Sequence, residues 1–292
     1  MRRNLLLLAL GFLTCVTGAL AAPQLQQGSI VNAASFAVDG SPNAAIAPGS
    51  LFTVFGVDVG PTTAVNVDQF PLPTSLGGVS VRVSVNGQNF DCPMIFVLNS
   101  QVSAILPSNV PPGTATLVLT YNGQASNSIT FPVAPRMAGV FSRNSSGAGQ
   151  SVIQNYISPS SQPDNALNQA AHAGQVAILW GTGLGGSLNG DDRNLPAPGN
   201  LLPLDQVRVY VGGVSANVEY AGRSGCCAGV DQVNFVVPQN VEGCFVPVVV
   251  TLNGIPSNFT MMAIENGGTS CEGAFGLDSN RLNQLVSMDK LR

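Results

Sequence analysis

One histidine, His172, and one lysine, Lys290, are spread over 292 residues, and charged residues of every kind make up only 9% of the chain. Scarce histidine removes most metal sites and Ser-His-Asp chemistry, which use imidazole as ligand or base. Scarce Glu, Lys and Arg remove helical bundles and coiled coils, whose wet faces are built from those residues. The net charge is −4 with no basic block, so the electrostatic footprint of a nucleic-acid partner is missing. No stretch beyond the N-terminal segment reaches the roughly 20 apolar residues of a membrane span. What the chain does have is 33 Gly, 20 Pro and 45% apolar residues. That mixture fills cores and supplies turns, and at ~150 residues per domain it predicts about two domains of turn-rich β structure.

Residues 1–21 read as a secretory signal peptide. Arg2 and Arg3 precede an apolar run that starts at Leu5, and Ala19-Leu20-Ala21 stands before Ala22-Pro23. Phe12-Leu13-Thr14-Cys15 lacks the small residue that a lipoprotein signal places before its cysteine. Cleavage would leave a formal charge of −6 and a surface kept wet by Ser, Asn, Gln and Thr. The expected location is secreted, or at the cell surface or periplasm.

The mature chain echoes itself. Pro48 to Gly60 matches Ala173 to Gly185 at an offset of 125, with glycines 49, 56 and 60 in register. Val81-Arg82-Val83-Ser84-Val85 matches Val207-Arg208-Val209-Tyr210-Val211 at 126, and Tyr121-Asn122-Gly123 matches Leu252-Asn253-Gly254 at 131. Within each copy, short runs of Val, Ile, Leu, Phe and Thr end at turn residues. Val81, Val83 and Val85 alternate with Arg82 and Ser84, the period of a strand with one buried face. Asn86-Gly87 and Asn122-Gly123 tolerate the positive φ of a tight hairpin. The expected fold is all-β: two tandem immunoglobulin-like antiparallel β-sandwiches, at 30–136 and 168–266. Residues 137–167 are expected to link them, and 267–292 to form a tail with a short amphipathic helix carrying Leu282, Leu285 and Val286.

The run Gly174 to Gly185, followed by a Val-x-Val-Gly-Gly strand, resembles the IPT/TIG immunoglobulin-like sandwich. More closely, the mature chain resembles the uncharacterised Solibacter-type domain at the C-termini of acidobacterial secreted proteins. The matching stretches are Val31 to Phe36, Pro48 to Gly60, Leu72 to Gly78, Ile105 to Asn109, Ile178 to Gly185 and Gly222 to Gln232. The resemblance implies a fold and an exported setting, and no established activity.

Few residues are placed for chemistry. Gly181-Thr182-Gly183-Leu184-Gly185-Gly186 contains G-x-G-x-x-G, but Ser187 to Pro198 cannot supply the helix N-terminus that a dinucleotide needs. Cys226, Cys227, Cys244 and Cys271 are disulfide candidates in an exported protein. The loop before Asp231 is five residues longer than its counterpart and holds Cys226 and Cys227. The expected pairing joins Cys244 to one of these and Cys271 to the other, with a Cys226-Cys227 bond as the alternative. Cys92 has no evident partner. His172 lies on a short approach to a strand with no Gly-x-Ser-x-Gly elbow nearby, and Asp231 reads as a turn residue. Neither is assigned a catalytic role. Asp191 and Asp192 form the densest acidic pair, a weak Ca²⁺ candidate without EF-hand spacing; no other cofactor is indicated. Trp180 reads as core, leaving Tyr210 and Tyr220 as weak candidates for a ligand platform. The expectation is therefore a non-enzymatic exported module for extracellular or cell-envelope adhesion or assembly, the alternative being a carbohydrate-binding module. Its partner would be an unknown extracellular protein or a polysaccharide.

Overall fold

The computed structural model describes residues 21–187 and 192–271, together with 280, 283, 284, 286 and 287. The proposed signal peptide, apart from Ala21, and most of the tail lie outside the described residues.

The first half of the chain forms two stacked antiparallel sheets. In chain order its strands are β1 (Gln24–Asn32), β2 (Leu51–Val57), β3 (Val65–Asn66), β4 (Val79–Val85) and β5 (Gln88–Asp91). There follow β6 (Met94–Leu98), β7 (Gln101–Ile105), β8 (Gly113–Tyr121), β9 (Gln124–Ala125) and β10 (Ile129–Val133). One sheet runs β1-β2-β7-β6-β3 and the other β10-β8-β4-β5. Alternation decides which side is inside: in β4 the valines at 79, 81, 83 and 85 are buried, while Arg82 between them is exposed. They pack with Phe52, Val54, Leu117, Leu119 and Phe131 into one core.

The second half adds β11 (Gly139–Val140), β12 (Gly149–Gln150), β13 (Ile153–Asn155), β14 (Val176–Thr182), β15 (Gly199–Asn200) and β16 (Val207–Val211). It ends with β17 (Val214–Arg223), β18 (Asp231–Val236), β19 (Gly243–Leu252), β20 (Ile255–Pro256) and β21 (Thr260–Ile264). The order is β11-β14-β18-β17-β16-β19-β21-β12. Strand β17 pairs with β16 through Val214 to Ala216 and with β18 from Asn217 onward, and a bulge at Val218 to Tyr220 follows the change of partner. A second core gathers Leu179, Val209, Phe235, Val248 and Met262. Both halves are sandwiches of mainly antiparallel strands. The tight turns hold Asn86, Asn122 and Asn253 at φ of 51°, 48° and 51°, each followed by a left-handed glycine.

Three expectations need correction. Residues 137–167 do not form a linker: β11 and β13 pair with β14, β12 runs parallel to β21, and Ala138, Val140 and Ile153 enter the second core. The first sandwich begins before residue 30, because β1 starts at Gln24 and Leu25 is buried. Trp180 is half-buried rather than core, since Ala177 and Leu179 are the β14 side chains that enter the second core and Trp180 lies on the opposite side of the strand, where its indole N-H donates to Gln154 Oε1 at 3.1 Å.

Cys92 sits fully buried in the first core, and burial pushes its thiol well above the ordinary range, with Asp91 adding to the effect. A maleimide at mildly alkaline pH is therefore expected to leave Cys92 untouched in the folded protein and to label it in concentrated guanidinium. Peptide mapping reads the outcome, and labelling of native Cys92 would contradict this packing.

Candidate functional site

A set of buried polar groups, Arg223, Asp231 and Thr182, lies where the sandwiches meet. Strands β17 and β18 end side by side there, with Arg223 opposite Asp231 in the ladder. Their side chains are 5% and 1% exposed and form an ion pair. Arg223 Nη2 also donates to Gly185 O at 2.7 Å, and Asp231 Oδ2 accepts the Leu184 N-H at 2.8 Å. Burial pushes the Asp231 carboxyl above its usual range, while Arg223 and the Leu184 and Gly183 N-H groups pull it back. A charge pair removed from water persists only when its remaining hydrogen-bonding positions are filled, and here the backbone fills them.

The first sandwich closes against this pair. Thr182 Oγ1 donates to Gly229 O at 2.6 Å and accepts the Leu51 N-H at 2.9 Å, so one hydroxyl ties β2, β14 and the cysteine loop together. Gly49, at φ +73°, leaves room for the Arg223 guanidinium, which a Cβ there would overlap. Gly183, at φ +109°, lies so close to the Met137 carbonyl that a Cβ would collide with it, and Met137 N in turn donates to Gly183 O at 2.8 Å. The glycine run thus serves close backbone approach between strands rather than a phosphate. Asp192 accepts from Ser108 N at 2.6 Å and from Ser108 Oγ at 2.5 Å, and Arg193 Nε donates to Leu72 O at 2.6 Å. Leu51, Leu72, Ile105 and Ala228 close the seam with a small apolar cluster.

The structure separates most residues singled out from sequence. His172 and Asp231 stand at opposite ends of β18, whose far end at Val236 pairs with Val176. His172 Nδ1 instead meets Glu265 O at 2.6 Å. Asp191 lies outside the described residues, and the carboxylate of Asp192 is engaged by Ser108; among the described residues no three His, Cys, Asp or Glu side chains cluster as metal ligands. The expected cysteine pairing is corrected: Cys226 is bonded to Cys227, and Cys244 to Cys271 with Cα atoms 5.5 Å apart. The reason is distance. Cys226 and Cys227 sit at the seam, and β18 carries the chain about 17 Å away, five steps of ~3.3 Å, before Cys244 enters β19. Chain segment 269–271 runs beside 167–170, with Cys271 N donating to Leu167 O at 2.7 Å, and this delivers Cys271 to Cys244.

Tyr220 is no platform. Its hydroxyl accepts the Gly199 N-H at 2.8 Å and donates to the Arg223 carbonyl, and burial raises its pKa. Tyr210 does lie on an open face. It projects from β16 beside Val249, on the outer side of the β16-β19-β21 layer that also carries Phe245, Pro247 and Met261. Phe245 is 45% exposed. The matching outer face of the first sandwich presents Ser80, Ser84, Thr114, Thr116 and Thr130. Sequence reasoning missed Arg223, Thr182, Gly49 and Ser108. The available signal was an arginine and an aspartate flanking one loop in a chain with so little charge.

No protein-family model matches the chain, and no curated protein matches it. Among solved structures, surface glycan-binding and immunoglobulin-like proteins are similar to it. SGBP-B of the mixed-linkage glucan utilization locus of Bacteroides ovatus, in complex with a mixed-linkage heptasaccharide, is 9% identical, with 83% of this chain and 46% of that chain covered and a TM-score of 0.31. SGBP-B from a complex xyloglucan utilization locus in Bacteroides uniformis is 10% identical over 83% of this chain and 49% of that one, with a TM-score of 0.24. The I9-I11 tandem of titin is 10% identical over 84% and 66%, with a TM-score of 0.20. The chain spans about half the length of the first two. Among the described residues no helix is long and apolar enough to cross a membrane.

Asp231→Asn would leave Arg223 buried without its counter-charge, a loss of about 3–5 kcal/mol. Gly49→Ala is expected to act in the same direction by displacing the guanidinium. Asp91→Asn, which breaks the exposed pair with Arg82, is expected to leave the denaturation curve in place. Equal effects from Asp231→Asn and Asp91→Asn in urea unfolding would contradict the role given to the buried pair.

Proposed function

We propose that the protein is an exported, non-catalytic pair of β-sandwiches that serves adhesion or assembly outside the cell or in its envelope, meeting its partner through the outer face of β16, β19 and β21. The contrast between the two outer faces carries this reading. The same layer is hydroxyl-rich in the first sandwich and is lined by Tyr210, Phe245, Pro247 and Met261 in the second. Protein contact surfaces favour aromatic residues, methionine and arginine, and this strip carries exposed Arg208 beside Tyr210 as well as Phe245 and Met261. The side chains best suited to chemistry, Arg223, Asp231, Thr182 and Asp192, are committed to joining the sandwiches. Two cysteine pairs at bonding distance suit an oxidising compartment, and the resemblance to a Solibacter-type secreted domain supports the same setting.

One observation favours a polysaccharide as the partner. Tyr210 sits beside Val249, four residues along β19 from Phe245, so two aromatic side chains share one face, about 13 Å apart along the strands at ~3.3 Å per residue and one strand apart across them. Flat rings that far apart can stack against non-adjacent sugars of one polysaccharide chain.

The test compares wild type, Tyr210→Ala/Phe245→Ala and Arg82→Ala for retention on cells of the producing organism and on a panel of purified polysaccharides. Retention on cells that is lost in the aromatic double variant and kept in Arg82→Ala is expected. Retention on a purified polysaccharide with the same dependence would select the carbohydrate reading. Hydrolysis of a panel member that disappears in Asp231→Asn would contradict both.

A further inference from the structure

Beside Tyr210 the outer face of the second sandwich is hollowed into an open concavity of about 310 Å³, at the small end of the range for ligand sites. Four polar side chains from three elements line it. Asp205 stands on the one-turn helix Leu204–Gln206, Arg208 follows on β16, and Ser215 and Asn217 come from β17. Strand alternation puts the last three on the side of Tyr210: Arg208 and Tyr210 alternate with the buried valines of β16, Ser215 pairs with Tyr210, and Asn217 is two residues further along. Leu204 and Val218 add apolar surface to the hollow.

Charge is scarce in this chain, and three of its arginines are paired: Arg82 with Asp91, Arg143 with Asp164, and Arg223 with Asp231. Asp205 and Arg208 are three residues apart and line the same hollow. Yet among the described residues they pair neither with each other nor with any other group. Both are exposed, as are Ser215 and Asn217. A carboxylate that only accepts and a guanidinium that only donates, held apart across one hollow, suit a ligand that carries donors and acceptors together. A polyanion would meet Asp205 and a polycation would meet Arg208, so the opposed charges select against both. A sugar ring meets these requirements. Its hydroxyls can donate to Asp205 and accept from Arg208 in charge-assisted bonds, and its C-H face can lie against an aromatic ring.

We propose that this concavity is a subsite for one neutral hexose residue of a polysaccharide, with Asp205, Arg208 and Asn217 bonding its hydroxyls and Tyr210 stacking against the adjoining sugar. The subsite rests on the carbohydrate reading of the outer face and deepens it. An aromatic ring accepts many sugars, whereas fixed donors and acceptors distinguish hydroxyl configurations and so choose among polysaccharides.

The experiment titrates the isotope-labelled full chain with cellohexaose, maltohexaose, mannohexaose, a hexagalacturonate and free alanine, and follows side-chain N-H resonances. A neutral hexasaccharide is expected to shift the Arg208 Nε-H and the Asn217 amide and to leave the Asn89 amide on β5 in place. Asp205→Ala and Arg208→Ala are each expected to weaken that binding roughly 10-fold, with Arg82→Ala binding as wild type. Their urea midpoints are expected to match wild type, because both side chains are exposed and unpaired in the folded protein. Binding that depends on Tyr210 and Phe245 but is unchanged in Asp205→Ala and Arg208→Ala would overturn the subsite and leave the carbohydrate reading standing. A response to the hexagalacturonate or to alanine alone would also overturn it, making the ligand an anion or a zwitterion. Silence toward every compound at millimolar concentration would overturn the subsite and the carbohydrate reading together, and retention on cells would then mark a protein partner.

Discussion

A guanidinium and a carboxylate buried together at the seam between two sandwiches set the terms for everything around them. Stripping water from Arg223 and Asp231 is costly, and the pair persists because the structure supplies the bonds that water would have made. Gly185 offers a carbonyl to the arginine, and Leu184 offers an N-H to the aspartate. Those backbone groups arrive only if the chain after β14 follows one path, and Gly183 permits that path by coming close to Met137. Gly49, across the seam, must lack a side chain for the same reason. A single electrostatic requirement thus places constraints on segments more than one hundred residues apart.

The same requirement accounts for how the chemistry-bearing residues are used. In a chain with so little charge, two arginines, two aspartates, a threonine and a serine meet at the seam and spend hydrogen bonds on one another and on backbone. The cysteine loop belongs to this arrangement as well. It joins the two charged residues, and its Ala228 and Val230 pack with Leu51 and Ile105 of the first sandwich. The outer face of the second sandwich is of a different kind, with Tyr210, Phe245 and Met261 where the first has serines and threonines.

Features with a local physical cause were legible before any coordinates. The alternating valines of β4 and β16 dictate which face is buried, and Asn-Gly pairs dictate hairpins, so both sandwiches were readable as strands and turns. Strand starts in the structure fall at related offsets too: β2 at Leu51 and β14 at Val176, β10 at Ile129 and β21 at Thr260. Features that depend on distance in space were not legible. Strands β11, β12 and β13 are two or three residues long, too short to show a period, so their segment read as a linker. Cysteine connectivity turned on which end of β18 each cysteine occupies. Arg223 and Asp231 are separated by a loop that no periodic pattern bridges, although they were the two residues on which the seam most depends.

The central claim is that this seam holds the two sandwiches as one rigid unit. Spectroscopic labels carried on unnatural amino acids at Gln88 in β5 and Ser215 in β17, both exposed, allow the distance between the sandwiches to be measured directly by pulsed electron resonance. The account predicts one narrow distance distribution for the wild-type chain, broadening when Thr182→Val removes the hydroxyl that binds β2 to the cysteine loop. A broad distribution in the wild-type chain, unchanged by that substitution, would contradict it.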